Sequence, residues 1–142
     1  MKNKLLVIAG QTGVGKTDVA YKIAKYIKGS EIILADQIQS YKYFNISGNK
    51  PSIEYQKSIP YHNLDKYDPI EDKVNAAKFA SETRRTIKDI IKKGGFPIIE
   101  GGSGFYLKML LSGGDDSWNE EEHSRYEQGI HTHIYYNIYI FK

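Results

Sequence analysis

The chain has 142 residues, 20 Lys and Arg against 17 Asp and Glu, a formal charge of +3, and no cysteine. That length predicts one domain that buries most of its apolar surface, and the missing cysteines exclude a disulfide framework, a thiolate metal site and a Cys nucleophile. No run approaches the ~20 apolar residues of a membrane span, and the apolar run after Met1 is too short for a signal peptide, so a cytoplasmic protein is expected.

The first strand candidate is Leu5-Leu6-Val7-Ile8-Ala9. It runs into Gly10-Gln11-Thr12-Gly13-Val14-Gly15-Lys16-Thr17, a complete G-x-x-x-x-G-K-T phosphate-binding loop. Asp18 to Lys28 follows with Val19, Ala20, Ile23, Ala24 and Ile27 at the spacing of one helix face. In this strand–loop–helix context the glycines let successive N–H groups point at an anion, and the helix adds its positive end. Lys16 is expected to reach the outer phosphates of a di- or triphosphate, and the Thr17 hydroxyl to hold Mg²⁺.

A second strand, Glu31 to Ala35, ends at Asp36. Asn45 to Tyr67 reads as loop, with Gly48, Pro51, Pro60 and several Asn and Asp residues. A long helix is predicted from about Asn75 to Lys93, ended by Gly94, and a third strand from Phe96 to Glu100. Gly101-Gly102-Ser103-Gly104 follows, then a short helix from Phe105 to Leu111. Beyond Gly113-Gly114 lies an acidic segment, Asp115 to Gln128, and an Ile/Tyr-rich tail. Residues 1–114 carry 18 basic against 11 acidic side chains, and residues 115–142 carry 2 against 6. A basic body suits a polyanion such as RNA, a small phosphorylated ligand, or plain solvation. His131 and His133 lack the spacing and partners of metal ligands.

Alternating strands and helices predict an α/β domain with a parallel sheet, whose ligand crevice lies at the carboxyl ends of the strands. Three loops meet there: Gly10–Thr17, Asp36–Tyr41 and Gly101–Tyr106. At Asp36 a carboxylate can bind Mg²⁺, act as a general base or cap the next turn. Ser103 offers a hydroxyl to the same crevice, or an N-cap.

Taken together, Gly-Gln-Thr-Gly-Val-Gly-Lys-Thr-Asp, Ile-Leu-Ala-Asp-Gln-Ile-Gln-Ser-Tyr and Pro-Ile-Ile-Glu-Gly-Gly-Ser-Gly-Phe-Tyr resemble the N-terminal half of the tRNA dimethylallyltransferase family. Gly48-Asn49-Lys50-Pro51, Ile59-Pro60-Tyr61-His62 and Asp68-Pro69 fall between them in the family's order. The resemblance covers residues 4–112 and, weakly, Trp118 to Gln128. It implies a P-loop nucleoside-triphosphate-hydrolase-like α/β fold, incomplete here, with a core over residues 1–114. It also implies transfer of a dimethylallyl group from dimethylallyl diphosphate to the N6 amine of an adenine beside the tRNA anticodon. Gly10 to Thr17 would then grip the diphosphate with Mg²⁺ on Thr17, and Asp36 and Ser103 would be catalytic. Contacts to tRNA would come from Asp36, Gln37, Ile38, Gln39, Ser103 and Arg125.

The family runs to roughly twice this length, and Gln37 and Gln11 replace its usual serine and proline. The tail from Ile130 matches no family block and reads as a frameshifted or prematurely ended frame. In related folds the sheet continues beyond the first strand, so Leu5–Ala9 is expected to be an exposed apolar edge, with poor solubility; if folded, the chain is expected to be a monomer. Three other readings stay open: prenylation of free adenine nucleotides, a small kinase using ATP, and a remnant that only binds pyrophosphate. A kinase needs arginines to clamp the transferred phosphoryl group, and the chain has only Arg84, Arg85 and Arg125.

Overall fold

The computed structural model describes residues 4–10, 15–35, 42, 50–72, 76–102, 110 and 136–141. In chain order these form β1 (Leu5–Gly10), α1 (Lys16–Tyr26), β2 (Ser30–Leu34), α2 (Ile53–Ser58), β3 (Tyr61–His62), α3 (Ala76–Lys92), β4 (Phe96–Gly101) and β5 (Tyr136–Phe141). The sheet order is β3-β2-β4-β1-β5. Its first four strands are parallel, and β5 runs antiparallel to β1.

The central strands are apolar without alternation because both faces are covered. On one face Leu6, Ile8, Ile32, Leu34 and Ile98 pack with Ala20 and Ala24 of α1. On the other, Val7, Ala9, Ile33 and Ile99 pack with Phe79, Ile87 and Ile90 of α3. The predicted strands and both long helices thus appear within a residue or two of their expected bounds, with α3 buried along the stripe Phe79, Ala80, Thr83, Ile87 and Ile90.

Residues 50–67 are more ordered than a loop. Ser52 caps α2, its side chain accepting from the Tyr55 N–H at 3.2 Å. β3 then pairs its two residues with Ile32 and Ile33. Asn63 follows with φ +63°, a left-handed conformation that asparagine tolerates better than most residues. Its side-chain amide donates to the Leu34 carbonyl at 3.2 Å and to the Thr83 hydroxyl at 3.0 Å, joining β2 to α3. At the start of β2, buried Glu31 accepts from His62 Nε2 (2.9 Å) and Lys93 Nζ (2.8 Å). After α3 the chain turns at Gly94 (φ +83°) and packs closely at Gly95, where an added Cβ would lie 2.9 Å from Ile90 Cγ2 and 3.0 Å from the Gly29 carbonyl.

The expected exposed edge at Leu5–Ala9 is overturned. β1 lies between β4 and β5, and all six of its residues are in register with β5, from Leu5 opposite Phe141 to Gly10 opposite Tyr136. The β-branched and aromatic run Tyr-Asn-Ile-Tyr-Ile-Phe suits a strand, and pairing supplies β1 with the backbone partners that a bare edge lacks.

Candidate functional site

β1 and β4 end side by side at Gly10 and Gly101, with Ala9 opposite Gly101. The β2 chain is held to β4 there, since the Ala35 N–H donates to the Glu100 carbonyl at 2.7 Å. The chain re-enters at Gly15, whose φ of +89° is open to glycine and strained for residues with a Cβ, and passes directly into α1. Gly15 therefore aims the amino end of α1, with its N–H groups and positive dipole, at the carboxyl ends of β1 and β4.

Lys16 and Thr17 open this helix. Lys16 is buried, only 8% exposed, so the polar head of its side chain is placed by the fold rather than by solvent. The Thr17 hydroxyl donates to Glu100 Oε1 at 2.7 Å. Glu100 is 2% exposed, a carboxylate inside the sheet mouth at a strand position where apolar residues precede it.

Two tyrosines build the wall beside it. Tyr55 of α2 stacks on Tyr21 of α1, ring centroids 3.7 Å apart, and its hydroxyl donates to Asp18 Oδ1 at 2.7 Å. That hydrogen bond, followed by a small desolvation and the Asp18 charge, raises the Tyr55 phenol above its ordinary value. The Tyr61 hydroxyl is buried with no hydrogen-bond partner among the described residues. Burial first, then the negative charge of Glu100, pushes its ionisation well above 10.0. Tyr61 is thus a neutral phenol in the field of Glu100.

Of the residues singled out in the sequence, the structure brings Gly10, Gly15, Lys16 and Thr17 to one place. Gln11, Thr12, Gly13 and Val14, Asp36 to Gln39, Ser103 and Arg125 lie outside the described residues. Ala35 and Gly102, the neighbours of two of these segments, lie at the same end of the sheet, Ala35 held there by its bond to Glu100. Glu100, Tyr61, Tyr55 and Asp18 were not anticipated. The signal available for Glu100 was an acid ending an otherwise apolar strand, at the ligand end of a parallel sheet. Among the described residues no three His, Cys, Asp or Glu side chains cluster as metal ligands, and no helix is long and apolar enough to cross a membrane.

A family model described as IPP transferase matches residues 39–136. The chain is 37% identical over 147 residues to the tRNA dimethylallyltransferase of Alkaliphilus metalliredigens, covering 100% of this chain and 45% of that protein. That alignment runs through the Ile/Tyr-rich tail. Identity to the Lactiplantibacillus plantarum tRNA dimethylallyltransferase is 44% over 112 residues, 79% of this chain and 35% of that one. Among solved structures, the tRNA delta(2)-isopentenylpyrophosphate transferase of Staphylococcus epidermidis superposes with a TM-score of 0.69 at 30% identity, covering 86% of this chain and 39% of that chain. A eukaryotic dimethylallyltransferase acting on tRNA gives 0.68 at 30% identity, covering 81% and 30%. The chain spans less than half the length of these relatives.

Proposed function

This chain belongs to the IPP transferase family, and on that premise we propose that it carries the donor-binding half of a tRNA dimethylallyltransferase. The reaction forms a bond between the adenine N6 and the allylic carbon of dimethylallyl diphosphate. The C–O bond to the diphosphate breaks, and one N6 proton leaves. The observation that supports this reading best is the turn of Gly15 into α1, which sets buried Lys16 and half-buried Thr17 at the ends of β1 and β4.

Breaking the allylic bond moves negative charge onto the diphosphate. Gly10 to Thr17 would meet that charge with backbone N–H groups, the end of α1 and the Lys16 ammonium. The Thr17 hydroxyl is a hard oxygen donor of the kind that suits Mg²⁺. Bound there, Mg²⁺ would neutralise part of the leaving-group charge. Asp36 would take the N6 proton as the amine attacks, which matters because an aromatic amine is a poor nucleophile. Gln39 and Ser103 would hold the adenine out of its stack, with Gln37, Ile38 and Arg125 contributing contacts to tRNA. The protein would act in the cytoplasm on the anticodon stem-loop.

Incubation with labelled dimethylallyl diphosphate and either tRNA or AMP tests the reading. Label in tRNA supports it; label in AMP moves the acceptor to free nucleotides; label in neither, with diphosphate still bound, leaves a binding remnant. Asp36→Asn should abolish transfer while leaving diphosphate binding nearly intact. Equal loss of both would remove Asp36 from the role of base.

A further inference from the structure

We propose that Glu100 is the anionic protein ligand of the divalent cation, completing with Thr17 a metal site at the mouth of β1 and β4. The proposal rests on the donor-site reading above and adds to it a residue that the phosphate loop does not contain.

Three observations carry it. The first is burial: Glu100 is 2% exposed at the end of an apolar strand, so its carboxylate is placed by the fold rather than by solvent. The second is direction. Its oxygen Oε1 is turned to the one hydroxyl, on Thr17, that the phosphate-loop motif assigns to the cation. The third is spacing. Two oxygens sharing adjacent corners of an octahedron with metal–oxygen bonds of about 2.1 Å lie about 3 Å apart, and Thr17 Oγ1 and Glu100 Oε1 are 2.7 Å apart. Turning the hydroxyl hydrogen aside, so that a lone pair of Thr17 Oγ1 and Glu100 Oε1 both face a cation, therefore asks for little movement of either side chain.

The chemistry also fits the ligand count. Mg²⁺ is commonly held by one or two carboxylates, the rest of its shell being water and substrate phosphate. One buried carboxylate and one hydroxyl leave room for the diphosphate oxygens. They also favour Mg²⁺ or Mn²⁺ over metals that prefer imidazole or thiolate. Tyr61, with its buried hydroxyl, lies within the field of the same carboxylate and keeps its proton. It therefore adds no second negative charge to the site.

The alternative role for Glu100 is a lock on Thr17, and glutamine separates the two. Glu100→Gln keeps size and an oxygen that accepts from the Thr17 hydroxyl, but removes the charge. Mn²⁺ binding to the chain alone, without diphosphate or tRNA, is followed by loss of the free-ion EPR signal. Glu100→Gln should weaken it by about tenfold or more, with an unchanged far-ultraviolet CD spectrum. Native-like Mn²⁺ binding by this variant would overturn the proposal. Should the variant fail to fold, the native chain still decides. Substoichiometric Mn²⁺ should broaden the amide resonances of Thr17 and Gly101 before others, and broadening confined to other regions would overturn the assignment. Because the probe is Mn²⁺ alone, failure of prenyl transfer, or of diphosphate binding, bears on the proposed function and leaves this outcome distinct.

Discussion

Asn63 joins the end of β2 to the middle of α3, and its replacement separates two energetic terms. Asn63→Ala removes hydrogen bonds to the Leu34 carbonyl and the Thr83 hydroxyl, and leaves both oxygens buried without that donor. Two such bonds contribute about 1 kcal/mol each. Alanine must also adopt φ +63°, at about 1–2 kcal/mol for a residue with a Cβ and no local hydrogen bond. The sum is a loss of about 3–4 kcal/mol. Asn63→Gly loses the same bonds without the backbone strain, so it should retain about 1 kcal/mol more than alanine despite glycine's greater unfolded-state entropy. Urea unfolding followed by CD measures both variants. At this chain length 1 kcal/mol corresponds to about 3 °C in Tm, so alanine should lower Tm by about 9–12 °C. An alanine variant within about 0.5 kcal/mol of native, the range of an ordinary surface change, would refute the buried bridge. Equal alanine and glycine values would refute the strain term.

Stability should also fall in acid through Glu31. Burial pushes this carboxyl up, but hydrogen bonds and charge from Lys93 and His62 outweigh it and hold the folded value below 4.5. Its contribution is therefore present above about pH 4.5 and lost as pH falls through the folded value; Glu31→Gln should flatten that acid limb in urea titrations between pH 7 and 3, and an unchanged slope would refute the assignment. Gly95→Ala should destabilise by about 1–3 kcal/mol, because its methyl would sit 2.9 Å from Ile90 Cγ2; a native Tm would show that α3 and Gly29 yield at no cost. Ile138→Pro removes a backbone donor from the strand opposite Ile8. It should raise light scattering at matched concentration by freeing the β1 edge, whereas a monodisperse variant of native Tm would exclude β5 as its cover.

The sequence made β1, α1, β2, α3 and β4 legible because each is a long apolar run or a clean helical stripe bounded by glycine or a charged turn. It concealed α2 and β3, since Pro51, Pro60, Asn63 and Asp65 crowd a segment where the strand is only two residues long. β5 was unreadable for a different reason. Its Ile and Tyr residues suit a strand, but nothing in them specifies β1 as partner across more than a hundred residues. At the site, the motif itself named Gly15, Lys16 and Thr17, while Glu100 depended on a long-range pairing of β4 with β1 that brings its carboxylate to Thr17.

The pairing of β1 with β5 also sets a timetable for synthesis. Gly10 waits for Tyr136, and Leu5 for Phe141, before that side of β1 is paired. At 5–20 residues per second the delay is roughly 6–25 s. Throughout it, the apolar segment Leu5–Ala9 has its final neighbour still untranslated. A chaperone that holds nascent strands would find its clearest task on this chain there.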